Sequence, residues 1–390
     1  MKVFALALLL GLGVAHAAPY VPASDAEVVE RLPGRASDPA IRRVDSLRKQ
    51  LAARPEDIAL RLEIARRYFD LAMAQGDPRY VGYASSALAP LAQIAAGNAE
   101  YWLLRGLIEQ YTHQFEAALT SLARSAELDP RSSQALSWRA AIFMVRAQYP
   151  AALAECERLT PLAEPLLGAG CSAYVRATTG QLQPAFETLA STVRAEKTSP
   201  EMLLWLYTRL AEMAIRLQRN EIAEDYFKSA FKLGITDQFL LGAYADFLLD
   251  RQRPAEVLTL LTGWERSDIL LLRLALAGRA AKDSRAADWS AQLRDRFQAA
   301  ALRSDRLHEL EAARFELDIE GQPAKALDLA SRNYQDQKEP RDAEILMRAA
   351  LAAKQPRAAV PALDWLRSNK YEDPALKALA DKLSTPGAAR

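Results

Sequence analysis

The stretch 99–130, AEYWLLRGLIEQYTHQFEAALTSLARSAELDP, repeats its apolar residues at intervals of three and four, with polar residues between them. This spacing is typical of an α-helix with one buried face. The pattern breaks at His113 and Gln114, resumes at Phe115 and stops before Pro130, because proline disfavours helical conformation in the residue before it. The stretch therefore predicts two helices joined by a tight turn.

Small residues indicate where these two helices cross. Gly106 lies on the first helix and Ala118 on the second, and large side chains at either place would hold the two backbones apart. An alanine near the start of each second helix recurs along the chain at steps of 32 to 39 residues, and Arg314 occupies a position where a small residue is expected. These alanines are Ala84, Ala118, Ala152, Ala185, Ala223, Ala255, Ala287, Ala326 and Ala359.

The same stretch resembles a tetratricopeptide repeat (TPR), a 34-residue helical hairpin, although Arg105 and Ser125 depart from the family pattern. The resemblance implies an all-α fold, an α-solenoid whose hairpins bury their apolar faces by stacking into a right-handed superhelix. It also implies a non-enzymatic protein without a cofactor, which binds a protein or a peptide. The family's positions are matched in order by Trp102, Gly106, Phe115, Ala118, Leu122 and Pro130.

In such a solenoid the first helices line a concave groove, and the resemblance implies which side chains face it. The set is mixed apolar, aromatic and charged, and would suit an extended peptide or a helix of a partner. The alternative is that these residues only fill the space between adjacent repeats, as core aromatics commonly do. The implied groove residues are Leu103, Leu107, Tyr111, Met144, Tyr174, Trp205, Glu212, Arg216 and Tyr244.

The amino terminus has the pattern of a secretory signal peptide. Lys2 precedes a twelve-residue apolar run, Val3 to Val14, and Ala15-His16-Ala17 offers a cleavage site after Ala17. The run is too short to cross a bilayer, which needs about 18 apolar residues or more. We therefore expect residues 1–17 to be removed and the mature chain to have no transmembrane segment. The periplasm is the expected compartment, with secretion as the alternative.

The rest of the chain divides by its prolines and its repeat pattern. Residues 18–35 contain three prolines and little periodicity, which favours an extended lead-in. Residues 36–90 are expected to form N-terminal capping helices and a degenerate first repeat, and residues 91–370 the TPR-like hairpins. Residues 371–390 are expected to form a C-terminal capping helix, opened by Asp373-Pro374, and a tail.

Cys156 and Cys171 are the two cysteines of the sequence. An even number of cysteines in an exported chain favours a disulfide, which would join one hairpin to the next. The alternative is two buried thiols that pack as small apolar groups.

Charge and motifs narrow the classes of function. The 50 lysines and arginines nearly equal the 49 acidic residues, so the chain lacks the basic excess of a general nucleic-acid binder. No phosphate-binding loop, zinc-protease motif or nucleophile elbow is present. His113 and His308 lie several repeats apart, and from the sequence we expect them not to share a metal ion.

The sequence thus predicts a scaffold or adaptor for protein partners in envelope assembly or export. The alternative is a binding module that encloses a small molecule or a lipid along the axis of the superhelix. That alternative requires a closed pocket with convergent polar groups.

Overall fold

The structure is a computed structural model that describes residues 38–162, 165–303 and 305–384. These residues contain 20 α-helices and two short 3-10 helices, and no strand occurs among them. The chain divides into two units between Arg43 and Val44, and only residues 38–43 of the first unit are described. The predicted signal peptide and lead-in, and the tail after Ser384, lie outside the described residues.

The helix bounds follow in chain order, and consecutive helices from α2 onward form the hairpins. Two 3-10 helices, Ala89–Leu91 and Pro356–Ala359, follow α3 and precede α19. The α-helices are α1 (Pro39–Ala53), α2 (Ile58–Gln75), α3 (Arg79–Leu88), α4 (Ala99–Tyr111), α5 (Phe115–Leu128), α6 (Ser133–Val145), α7 (Tyr149–Leu159), α8 (Pro165–Thr178), α9 (Leu182–Ala195), α10 (Pro200–Arg216), α11 (Asn220–Phe231), α12 (Gln238–Asp250), α13 (Pro254–Leu260), α14 (Asp268–Ala281), α15 (Ala286–Leu302), α16 (Glu309–Asp318), α17 (Pro323–Asp336), α18 (Pro340–Ala352), α19 (Val360–Ser368) and α20 (Pro374–Ser384).

Short turns join the two helices of each hairpin, and most turns share one backbone device. A residue with left-handed φ lies two positions before the second helix, or before the 3-10 helix that leads into α19, where it reverses the chain. Glycine supplies it in two hairpins, and other residues supply it in five. These residues are His113, Ala147, Gly180, Gln218, Gln252, Gly321 and Lys354. The predicted all-α solenoid of TPR-like hairpins is confirmed by this recurring unit.

The repeat period is also visible in a polar ladder across three first helices. Arg66 on α2 donates from Nε to Glu100 on α4 at 2.9 Å and from Nη1 to Gln134 on α6 at 3.0 Å. These three residues are separated by steps of 34. Equivalent positions of successive first helices therefore lie side by side.

The fourth residue of each second helix packs against the first helix of the same hairpin. It is a buried alanine in most hairpins, as in Ala118 and Ala326, but Val257 and Trp289 take this position in α13 and α15. The predicted register was therefore wrong at Ala255 and Ala287, which are exposed. The α14–α15 turn places its left-handed residue four positions before α15, so it shifts the contact away from Ala287.

A glycine compensates for the large residue in α15. A Cβ added at Gly278 would lie 2.9 Å from the Trp289 ring, so only glycine leaves room for this ring against α14. Sequence reasoning expected alanine on the second helix, whereas here the small residue lies on the first.

Within the second unit, the C-terminal hairpins pack back on the middle ones. The Trp365 indole donates to the Tyr149 hydroxyl at 2.7 Å, and the Lys338 amide donates to the Val145 carbonyl at 2.7 Å. Ala140 and Cys156 share an apolar core with residues of α17 to α20. The inner surface of the solenoid is therefore covered by its own chain along these hairpins.

Candidate functional site

First helices of six hairpins converge on a cavity of about 260 Å³, which we call the axial cavity. Alternation of first and second helices in stacked hairpins puts all first helices on the inner side, so side chains far apart in sequence meet there. The wall is formed by α8, α10, α12, α14, α16 and α18, together with Tyr371, Asp373 and Leu376.

The cavity wall is densely charged. It carries six arginines and seven carboxylates, with Tyr174 and Phe239 as aromatic neighbours. Buried charges are costly unless they are paired, so the pairing decides what the cavity can bind. The arginines are Arg209, Arg216, Arg273, Arg314, Arg341 and Arg348, and the acids are Glu212, Asp246, Asp250, Glu311, Glu339, Glu344 and Asp373.

Asp246 is the centre of one charge cluster. Its carboxylate accepts hydrogen bonds from Arg273 at 2.7 Å, Arg314 at 2.7 Å and Arg341 at 3.0 Å. Burial alone would raise the pKa of Asp246, but the three guanidinium groups outweigh burial and hold it well below its usual range. Asp246 therefore stays ionised and ties α12 to α14, α16 and α18.

Arg209 forms a second cluster in the cavity wall. Its guanidinium lies 4.3 Å from the Tyr174 ring centroid and 4.7 Å from that of Phe239, and it donates to Glu212 at 2.8 Å. Burial raises the pKa of the Tyr174 hydroxyl to about 12, with Arg209 acting in the opposite direction. The arginine is held by two aromatic faces and one carboxylate.

Arg216 joins distant parts of the chain rather than facing a ligand. It is only 8% exposed, donates to the Ala177 carbonyl at 2.5 Å and the Glu372 carbonyl at 3.0 Å, and covers the Tyr371 ring at 3.9 Å. Its donors are thus largely used in fixing the segment before α20.

Asp250 differs from the other carboxylates of the wall, because within the described residues it accepts no hydrogen bond and forms no ion pair. Asp250 is exposed and is one of the residues that line the cavity. Burial, then the negative charges of Asp246 and Glu344, raise the pKa of Asp250 to about 6, with the positive charges of Arg314 and Arg251 acting in the opposite direction. Glu344 is itself only weakly paired, with 3.5 Å between its Oε1 and Arg348 Nη1.

The predicted groove residues separate into three groups. Leu103, Leu107 and Tyr244 are buried in the core, so their placement on an open groove was wrong. The reason is that these positions face adjacent hairpins and the hairpins stack tightly. Tyr111 is partly buried against the core that includes its own hairpin. Met144 is partly buried against the core of the C-terminal hairpins.

The third group lies at or near the axial cavity. Tyr174, Glu212 and Arg216 line it. Trp205 packs between α8 and α10, where a Cβ at Gly170 would lie 2.6 Å from its ring. The sequence-based set missed Arg209 and the cluster around Asp246. One signal for that cluster was available, because Arg314 stands where the repeat pattern expects a small residue.

Cys156 and Cys171 form a disulfide, with 5.5 Å between their Cα atoms. The bond joins α7 to α8, consecutive helices of adjacent hairpins. Of the two alternatives that the sequence left open, the structure has the bridge.

His113 and His308 are nearer to each other than the sequence suggested. Burial, then the charge of His308, lower the pKa of His113, and Gln337 Nε2 lies 3.4 Å from His113 Nδ1. The return of the C-terminal hairpins brings them together although they are several repeats apart. Within the described ranges, no group of three His, Cys, Asp or Glu side chains is arranged to hold a metal ion.

The described helices include none that is both long and apolar enough to span a bilayer. The chain is an α-solenoid of TPR-like helical hairpins with a charged axial cavity.

Comparison with known proteins finds distant matches among solved structures and no match by sequence. No family model matches the chain. No curated protein matches it either. The solved structures that it resembles share little sequence with it. The TPR-like fold is therefore assigned from the helical hairpins of this chain.

Three of these solved structures illustrate the degree of likeness. The Cut9–Hcn1 hetero-tetramer of the APC/C is 13% identical with a TM-score of 0.40, over 89% of this chain and 53% of that one. PilW, a type IV pilus biogenesis factor, is 17% identical with a TM-score of 0.35, over 60% and 94%. A Rap protein complexed with Competence and Sporulation Factor is 14% identical with a TM-score of 0.45, over 88% and 99%. The chain spans about half the length of the first of these.

Proposed function

We propose that this chain is a non-enzymatic, exported scaffold or adaptor that binds a protein partner, in envelope assembly or export. The observation that carries the proposal is the axial cavity, to which six first helices contribute charged and aromatic side chains. An extended segment of a partner, entering between the helices, would find hydrogen-bonding groups on every side. Arginine and aromatic residues of this kind dominate the energetics of many protein interfaces.

A small molecule is the second candidate for the ligand of this cavity. It is favoured by the polar side chains that converge on the cavity, whereas the volume, about 260 Å³, is slightly below the roughly 300–1,000 Å³ of pockets for drug-sized ligands. A thermal-shift screen separates the two candidates. Metabolites that raise the melting temperature where peptides do not would favour the small molecule.

The partner proposal is tested by capture from a periplasmic extract with a matched pair of variants. Phe239, which is 44% exposed and lines the cavity, is replaced by alanine. Ile222 on α11 is 41% exposed and is not among the residues lining the cavity, so Ile222→Ala is the control. We expect Phe239→Ala to retain less of the specific partner, measured by quantitative mass spectrometry. Equal retention by both variants would contradict binding in the cavity.

Export is tested separately by the intact mass of the protein isolated from cells. The expected chain begins at Ala18, as cleavage after Ala17 predicts, and gains the mass of two hydrogen atoms on reduction of the Cys156–Cys171 bond. A full-length mass beginning at Met1, recovered with the cytoplasmic fraction, would contradict the proposed compartment.

A further inference from the structure

The charges of the axial cavity are largely matched by one another. The wall has six arginines and seven carboxylates, and three of the arginines bind the single carboxylate of Asp246. One of these three, Arg314, also opposes the rise that burial causes in the pKa of Asp250. Arg209 is paired with Glu212 at 2.8 Å. The cavity therefore offers no large unmatched charge to a ligand, which favours a neutral polar one.

Two tyrosines of the cavity wall have hydroxyl groups that are not used within the chain. Tyr174 on α8 and Tyr371 before α20 line the cavity, and neither hydroxyl forms a hydrogen bond among the described residues. Tyr371 is only 9% exposed, yet its oxygen is not fully enclosed, in contrast to the unpaired hydroxyl oxygen of Tyr334. Polar groups of buried residues are nearly always hydrogen-bonded, so these two hydroxyls are candidates for contact with a ligand.

The rings of both tyrosines are held in place by their neighbours. The Tyr174 ring centroid lies 4.3 Å from the guanidinium of Arg209. The Tyr371 ring centroid lies 3.9 Å from the guanidinium of Arg216 and 4.8 Å from the ring centroid of Trp365. The ring faces are thus occupied, and the hydroxyls are the groups left to contact a ligand. Because the rings are already fixed, little side-chain entropy is lost when they do so.

Glu212 adds an acceptor near these hydroxyls. Its Oε2 accepts a hydrogen bond from Arg209, whereas no described residue donates to its Oε1. Burial raises the pKa of both tyrosines, nearby arginines oppose this rise, and the charge of Glu212 adds to it at each. Tyr174 contributes to the raised pKa of Tyr371 as well. The three groups therefore lie close enough to interact across the cavity, and both hydroxyls keep their protons near neutral pH.

We propose that the axial cavity binds a primary carboxamide, the side-chain group of asparagine and glutamine, through the hydroxyls of Tyr174 and Tyr371 and the carboxylate of Glu212. The carbonyl oxygen of a carboxamide has two lone pairs and accepts from both hydroxyls, while its N–H group donates to Glu212. A carboxylate has no donor for Glu212, and an apolar side chain would leave all three groups unpaired. A cavity of about 260 Å³ suits one side chain better than a length of main chain. Because the carboxamide belongs to a partner, this inference rests on the proposed function.

The test is a ligand-observed NMR titration of the full chain with four probes at fixed pH and salt. These are the end-blocked tripeptides Ala-Gln-Ala, Ala-Leu-Ala and Ala-Glu-Ala, and butyramide. The variant is Tyr174→Phe with Tyr371→Phe, which removes both hydroxyls and keeps both rings. The matched control is Tyr207→Phe with Tyr226→Phe. These two tyrosines are partly buried, their ring centroids lie 5.9 Å apart, and neither is among the cavity lining.

We expect the wild type and the control to bind Ala-Gln-Ala and butyramide, and the double variant to bind both about tenfold more weakly, because two hydrogen bonds to the carbonyl oxygen are lost. Ala-Leu-Ala and Ala-Glu-Ala should bind the wild type more weakly than Ala-Gln-Ala does. The melting temperatures of the double variant and the control should match, because the hydroxyls form no hydrogen bond within the described chain. A purely structural role would lower the melting temperature and leave the ranking of the probes unchanged. The single variant Tyr371→Phe provides the same comparison if the double variant does not fold.

Several outcomes would overturn the inference. Equal affinity for Ala-Gln-Ala and Ala-Leu-Ala would contradict recognition of a carboxamide, and tighter binding of Ala-Glu-Ala would contradict the role of Glu212. Unchanged affinity in the double variant, or no binding of any probe by the wild type, would rule out the site. Binding of butyramide but of no peptide supports the carboxamide site and contradicts a partner's side chain as its source. Periplasmic capture tests the proposed function independently.

Discussion

The hairpins α4–α7 and the cavity wall formed by α12, α14, α16 and α18 are built from the same helical unit but are stabilised differently. In α4–α7 a small residue meets a large apolar one, as Gly106 meets Leu122. In the cavity wall, Asp246 joins three guanidinium groups from three other helices. Local packing thus defines the first region, and long-range charge pairing defines the second. The difference shows that the same helical repeat can be stabilised either by apolar packing or by buried charge pairs.

The largest expected effect is in the cavity wall. Asp246→Ala leaves Arg273, which is 4% exposed, without its closest anionic partner. We expect a loss of about 3–5 kcal/mol in the free energy of unfolding, because an uncompensated charge stays buried. Chemical denaturation measures the loss. Asp225→Ala, at an exposed site on α11, should change stability by no more than about 0.5 kcal/mol.

The next effect concerns helix packing in the regular hairpins. A Cβ at Gly106 would lie 2.6 Å from Leu122 Cγ, so Gly106→Leu should cost roughly 1–3 kcal/mol through overpacking. Ala118→Leu in the facing helix should have a similar effect. The control is Gly82→Leu on α3, where nothing lies within 4 Å of an added Cβ. If thermal melting shows equal effects at Gly106 and Gly82, the assigned helix crossing is wrong.

The last effect is a change in pH dependence near the cavity wall rather than a loss of stability at one pH. Asp342, at 2% exposure, accepts hydrogen bonds from Asn333 and from the Glu339 amide. Burial, then the charge of Glu339, raise the pKa of Asp342 to about 8. A raised carboxyl pKa means that the folded chain binds a proton that the unfolded chain has lost above about pH 4. Stability should therefore fall as the pH rises from about 4 to 8.

The variant Asp342→Asn has no carboxyl group at this position. The folded and unfolded forms of the variant therefore no longer differ by this proton. Its stability should decline less steeply than that of the wild type across the same pH range, as measured by urea denaturation at several pH values. The change in slope corresponds to at most about one proton, or roughly 1.4 kcal/mol per pH unit. Parallel curves for the two proteins would show that Asp342 is ionised in the folded chain.

The same contrast explains how much could be predicted from sequence. The hairpin around Gly106 and Ala118 was predictable because its signal is local: apolar spacing, a small residue on each helix and a proline at the end. The register at Ala287 failed because a longer turn moved the contact to Trp289, and alanine is too common in this chain to mark the difference. The cluster around Asp246 depends on contacts over 27, 68 and 95 residues, which no local pattern encodes.

The contact between Tyr149 and Trp365 has a consequence for how the chain acquires its structure. These side chains are 216 residues apart, so the middle hairpins lack part of their core until nearly the whole polypeptide is present. Folding by addition of one hairpin after another, which an open solenoid permits, would stop here short of the native state. We therefore expect a polypeptide that ends before α18 to remain aggregation-prone. The export proposed above would then require the chain to be protected until its last helices arrive.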